Sequence, residues 1–117
     1  MSAVATAERF EELVVEALDA LPEWVHERLE NVEVLIENRP PPGQPGLLGL
    51  YEGIPLVERG MGYAGVLPDR ITLFQASIER HARDEDDLRQ VVRHTVVHEV
   101  AHYFGISDDR LRELDRY

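Results

Sequence analysis

Hydrophobic positions along this chain follow two periods, and the switches between them outline the elements. Phe10, Leu13, Val14, Ala17, Leu18 and Leu21 recur at the spacing of one face of an amphipathic helix, which is expected to end near Pro22. Glu8, Glu11, Glu12 and Glu16 mark its solvated side and favour its N-terminal half through the helix dipole. Residues 24–30 are expected to add a short helical turn. Val32, Val34 and Ile36 then alternate with Glu33, Leu35 and Glu37, the pattern of a strand with one face largely exposed. Residues 39–46 hold four prolines and two glycines and predict a rigid loop. Two short strands, 47–51 and 54–58, are expected around the turn at Glu52-Gly53, with Pro55 making the second an edge or an irregular start. Gly60, Gly62 and Gly65, around Met61 and Tyr63, predict a flexible connection. Arg70, Ile71, Thr72, Leu73, Phe74 and Gln75 form the best strand of this half, bounded by Pro68-Asp69. There is no internal repeat.

The last third is dominated by one long helix. Asp84, Glu85, Asp86 and Asp87 are an acidic helix start, with Asp84 or Asp86 as cap, and the helix is expected to run to Phe104. Leu88, Val91, Val92, Val96, Val97, Val100, Ala101 and Phe104 cover most of its circumference, which predicts burial on more than one side. One polar stripe interrupts this coat: His94, Thr95, His98, Glu99 and His102. Burying ionisable groups is costly unless they are paired or bind metal, so such a stripe points to a site. After Gly105, residues 109–116 are expected to form a last short helix with Leu111 and Leu114 inward.

The stripe contains His98-Glu99-Val100-Ala101-His102, followed by Gly105 and Asp108. At about 1.5 Å rise and 3.6 residues per turn, His98 and His102 sit on one face about 6 Å apart along the axis, where two imidazoles can converge on one ion. His94 lies roughly 12 Å along the axis from His102 and cannot readily join them. The chain must turn to supply a third ligand. Gly105 is suited to end the helix in a left-handed conformation, and Asp108 then returns as an oxygen ligand. That leaves the fourth position of a tetrahedral Zn²⁺ open for water. Glu99, rotated about 100° from His98, can stand beside that water as general base without binding the metal. The bland alternative for Asp108 is a helix N-cap in the Ser107-Asp108-Asp109 run, with Asp109 the fallback ligand. His94 reads as a packing residue or an outer partner of the ligands. Tyr63, Tyr103 and Tyr117 could each stabilise an oxyanion, although burial is the commoner fate of such residues; Tyr117 is the preferred candidate. The Asp84–Asp87 run reads as a charged helix start and not as a second metal site.

Composition narrows the chemistry. The 117 residues predict one domain, 1–117, and the absence of cysteine leaves any metal to histidine and carboxylate. The N-terminus lacks the pattern of a signal peptide, and no apolar run approaches the roughly 18 residues of a membrane span. A cytoplasmic protein is the default expectation. A net charge of −11 argues against nucleic acid or an anionic membrane as the main partner. The acidity is uneven: residues 1–58 carry 12 acids against 3 arginines, residues 59–117 carry 11 against 9, so the motif's half is nearly balanced.

From roughly residue 46 to 117 the chain resembles the small zincin-like metallopeptidases with an aspartate third ligand, the mini-zincins. The resemblance is carried by Gly49-Leu50-Tyr51-Glu52-Gly53-Ile54-Pro55-Leu56, by Leu67-Pro68-Asp69-Arg70-Ile71-Thr72, and above all by Thr95 to Leu111. It implies zinc at His98, His102 and Asp108, with Glu99 as base. It also implies an α+β fold in which a small twisted mixed sheet packs on an active-site helix, with an N-terminal helix and a short C-terminal one. In such enzymes an edge strand beside the site pairs with an extended peptide, and Arg70 to Gln75 is the candidate strand here. The chain departs from the metzincins in having Asp108 where they have histidine and in lacking a methionine after the motif. It also lacks the long downstream helix that supplies a glutamate ligand in thermolysin-like enzymes.

The leading expectation is therefore a zinc-dependent peptidase acting on a peptide or protein, with a homodimer left open. A non-catalytic zincin acting as a binding module is the first alternative, and an intact Glu99 argues against it. A metal-dependent endoribonuclease can share the same histidine spacing. Such nucleases lack the glutamate after the first histidine, and they need a basic face that this chain does not offer.

Overall fold

The computed structural model describes residues 4–60 and 67–114, in a mixed three-stranded sheet and five α-helices. Helix α1 (Ala7–Asp19) starts at Thr6, whose hydroxyl accepts the Arg9 N–H. It buries Phe10, Leu13, Val14 and Ala17 against the long helix α4 (Glu85–Tyr103), and the same face extends to Leu21 in the core. Glu16, on the flank of that contact, accepts from Arg89 of α4 at 2.7 Å. Helix α2 (Glu23–Arg28) is the short helical segment expected after Pro22. Strand β1 (Val32–Glu37) alternates as its sequence does, with Val32, Val34 and Ile36 packed on the core and Glu33, Leu35 and Glu37 outward.

The rest of the sheet is β2 (Gly49–Glu52) and β3 (Asp69–Phe74), in the order β1-β3-β2. β1 runs parallel to β3 and β2 antiparallel to it, giving a small α+β fold with a mixed sheet. This order corrects the expectation that Arg70 to Gln75 form an exposed edge. β3 is the central strand, its backbone is paired on both sides, and Gln75 already belongs to the following helix. Ile71, Leu73 and Phe74, which made this segment the best strand, suit a central strand, and only Arg70 is exposed while the other five residues of β3 are buried.

Residues 54–58 do not form a strand. Gly53 turns at φ +148, a conformation suited to glycine, and Pro55 contributes no N–H to a ladder. The chain instead makes a single 3-10 turn, Leu56–Glu58. Helix α3 (Gln75–His81), which the hydrophobic pattern does not announce, follows β3 directly. It is too short for its period to stand out, yet it buries Ser77 and Ile78. The connection around Met61, Gly62, Tyr63 and Gly65 lies outside the described residues.

Helix α4 (Glu85–Tyr103) starts at Asp84, whose carboxylate accepts the Asp87 N–H at 2.8 Å. Leu88, Val92 and Val96 face α1 and the sheet at 1% exposure or less, whereas Val97 is 52% exposed, so the apolar coat does not close around the helix. Thr95 and Glu99 are buried, because β2 lies over them. Helix α5 (Asp108–Leu114) ends the described chain.

Candidate metal centre

The end of α4 explains how the candidate ligands meet. Gly105 adopts φ +86, the Gly105 N–H donates to the His102 carbonyl, and the Ile106 N–H reaches back to the Ala101 carbonyl. These two bonds are the Schellman closure that an αL glycine permits. Ser107 then caps α5, its hydroxyl accepting the Arg110 N–H and its carbonyl the Leu111 N–H. The capping duty that sequence reasoning weighed for Asp108 thus falls to its neighbour, and the Asp108 carboxylate turns back towards α4.

His98 Nε2 and His102 Nε2 each lie 3.0 Å from Asp108 Oδ1 and 3.3 Å from each other. Among the described residues, these three place one donor atom apiece within 4.8 Å of one another. A tetrahedral site with bonds of about 2.0–2.1 Å has donors roughly 3.3–3.4 Å apart, so the triangle is of the size a zinc ion requires. The chemistry agrees. Three lone-pair donors facing one another repel unless protons or a cation stand between them, and two imidazoles with one carboxylate are zinc's nitrogen and oxygen donors. The side chains of His98 and His102 are 30% and 25% exposed and that of Asp108 60%, so the cluster opens to solvent on one side. Burial would raise the Asp108 pKa, but the charges and hydrogen bonds of His102 and His98 outweigh it and hold the carboxyl below its ordinary range.

Glu99 is set differently. It is 6% exposed, and a Cβ added to Gly49 would come within 3.1 Å of Glu99 Cγ and 2.8 Å of Thr95 Cγ2. Only a glycine lets β2 approach the helix this closely. Burial pushes the Glu99 pKa up to about 7; His102 and a hydrogen bond from the Tyr51 backbone N–H oppose the rise, while Asp108 adds to it. The direction of that N–H follows from the sheet register. The Phe74 N–H donates to the Leu48 carbonyl, so alternate residues Leu50 and Glu52 continue the pairing with β3. Gly49 and Tyr51 therefore turn their backbone groups to the free edge of β2, on which Glu99 closes.

Beside Glu99 and His98 lies a cavity of about 220 Å³ walled by Leu47, Leu48, Gly49 and Thr95, with His94 on its rim. The His94 and His98 ring centroids are 6.2 Å apart, and His94 stands outside the ligand triangle, as the helix rise requires. Asp109 pairs with Arg112 instead of turning to the histidines. Tyr103 is fully buried. Tyr63 and Tyr117 lie outside the described residues.

Residues 29–117 match the family model for zincin-like metallopeptidases. This chain belongs to that zincin-like family. Among solved structures it is similar to a conserved hypothetical protein from Thermus thermophilus, with 31% identity and a TM-score of 0.58 over 86% of this chain and 94% of that one. No curated protein matches it. Among the described residues, no helix of this zincin-like chain is long and apolar enough to cross a membrane.

Sequence reasoning did not single out Tyr51, Arg59 or Asp69, which together form a buried polar cluster behind the site. Asp69 pairs with Arg59 at 2.6 Å and accepts from the Tyr51 hydroxyl at 2.5 Å. A signal was present in Gly49 and Tyr51, two residues apart and hence on one face of a strand. Asp69, by contrast, reads as an ordinary turn residue after Pro68.

Proposed function

We propose that this zincin-like protein is a zinc-dependent peptidase in which His98, His102 and Asp108 hold the ion and Glu99 is the general base. The observation that carries the reading is the 3.0, 3.0 and 3.3 Å triangle of donor atoms with a buried carboxylate one residue away. When bound, zinc supplies a Lewis acid that acidifies water and polarises a carbonyl. Glu99 takes the proton of the attacking water and delivers it to the leaving amine. In the metal-free protein burial lifts this carboxylate to about 7, and a bound cation would favour its ionised form, ready to accept the proton. The free edge of β2, at Gly49, takes the place of Arg70 to Gln75 as the strand on which an extended peptide would align. The adjoining cavity of about 220 Å³ has room for one side chain of that peptide.

Metal analysis of the purified protein, followed by a proteome-derived peptide library with wild type and Glu99→Gln, tests the reading. Expected are zinc in near-equal ratio to protein, cleavage by the wild type, and loss of about 10²–10⁴ in rate in Glu99→Gln with zinc retained. Cleavage that survives the substitution overturns the general-base role. Zinc binding without any cleavage favours a binding module.

A further inference from the structure

The buried cluster behind the metal centre is more elaborate than packing requires. The Asp69 and Arg59 side chains are 2% and 6% exposed. Asp69 also accepts the Ile54 N–H, and Gly53 leaves room for it, since a Cβ there would overlap the carboxyl. The Arg59 guanidinium donates to the Ile54 and Glu30 carbonyls, each at 3.0 Å, and to the Tyr103 hydroxyl at 3.2 Å. It also lies 4.8 Å from the centre of the Tyr103 ring. Replacing a buried ion pair by well-packed apolar residues is often neutral or stabilising, so bulk stability is a weak reason to keep this one. What it does supply is a defined geometry between the segments it joins.

Those segments are the ones that carry the chemistry. Tyr103 is the residue after His102 on α4. Tyr51 lies on β2 two residues after Gly49, where the strand comes so close that a Cβ would lie 3.1 Å from Glu99 Cγ, and its backbone N–H is turned towards that carboxylate. We propose that Tyr51, Asp69, Arg59 and Tyr103 form a positioning unit that locks β2 to the end of α4 and so holds Glu99 in place beside the metal ligands. The proposal rests on the hydrolytic reading only for what Glu99 does once it is placed. None of the four touches the reacting atoms through its side chain. They act through the Tyr51 backbone and the seating of the strand.

The mildest break is Tyr51→Phe, which removes the bond to Asp69 and keeps the ring and the backbone N–H. In the full chain loaded with zinc, amide hydrogen exchange at residue 51 should quicken about tenfold. The Phe74 amide, which bonds Leu48 within the sheet, should keep its protection. On a peptide cleaved by the wild type, kcat should fall about tenfold to a hundredfold with KM and zinc affinity unchanged. Tyr103→Phe should move both readouts in the same direction by less. Equal acceleration at residues 51 and 74 would indicate general loosening and would overturn the proposal. So would unchanged protection at residue 51, or changed protection with kcat intact. Should the wild type cleave no peptide, the hydrolytic reading falls, and the two amides alone decide whether the unit holds the strand edge.

Discussion

Two polar clusters lie against consecutive residues of one helix, and they are built on opposite principles. At His102 the cluster opens to solvent on one side, and two imidazoles and Asp108 bring their ligand atoms to a common centre. At Tyr103 the groups are sealed from water and matched donor to acceptor, with Arg59, Asp69, Tyr51 and the Glu30 carbonyl satisfying one another. The first arrangement gains by taking up a cation, and the second gains nothing from any ligand. Polar residues near a helix end are thus not evidence of a site in themselves. Ligand atoms that converge on one open centre are, and fully paired buried groups are evidence of registration.

The contrast predicts a graded series in the metal-free protein, read by chemical denaturation. The largest effect belongs to the sealed cluster. Asp69→Ala strands the Arg59 guanidinium in the interior and should cost about 3–5 kcal/mol. Recovery of wild-type stability in that variant would mean the pair is not structurally coupled.

Glu99 comes next, with the opposite sign. Its folded pKa of about 7 lies above the ordinary 4.5, so between those values the folded state holds a proton that the unfolded chain releases. Stability contributed by the protonated acid is complete below pH 4.5 and is lost as pH rises to about 7. Glu99→Gln should therefore be more stable than wild type by about 3 kcal/mol at pH 8 and equal to it at pH 4. The same ionisation should make peptide hydrolysis decline as pH falls below Glu99's working pKa. A stability difference independent of pH would show that Glu99 is not buried as a charge.

Smaller again is Gly105→Ala. A side chain at φ +86 should cost about 1–2 kcal/mol. The new methyl would also press on Val57, which is exposed and can yield. Because Asp108 hangs from this turn, zinc affinity measured by competition with a chelator should weaken alongside stability; a change in one without the other would separate the cap from the site.

The smallest change in the metal-free protein is Asp108→Ala, in the open cluster, at about 0.5 kcal/mol or less. Its effect should appear only with metal. Zinc at 100 times its dissociation constant should stabilise wild type by about 2.7 kcal/mol, and the variant far less at the same concentration. Equal stabilisation of both would remove Asp108 from the ligand set.

Much of the candidate metal centre was legible because it is local. His98 and His102 are one turn apart, Gly105 follows within three residues, and Asp108 within six, so helix rise and a left-handed cap dictate their approach. The α1 face and the alternation in β1 were legible for the same reason. Two assignments failed where the deciding contacts are distant. Apolar density marks a strand as buried but does not say whether a given segment is central or at an edge, and β3 is central because β1 and β2 both pair with it. Residues 54–58 had strand-like composition, but Gly53 and Pro55 leave them no partner in the described sheet.

The amino-acid order alone determined a long helix presenting two histidines and a glutamate, a glycine that ends it, and an aspartate returning to the same face. Backbone geometry over a dozen residues leaves little freedom for anything else. Only the tertiary structure decided which strand lies beside Glu99, that Gly49 admits it, and that Tyr51, Arg59, Asp69 and Tyr103 meet behind the site. Those contacts join segments up to 52 positions apart, from Tyr51 to Tyr103, and are set by packing rather than by any period a chain can display along its length.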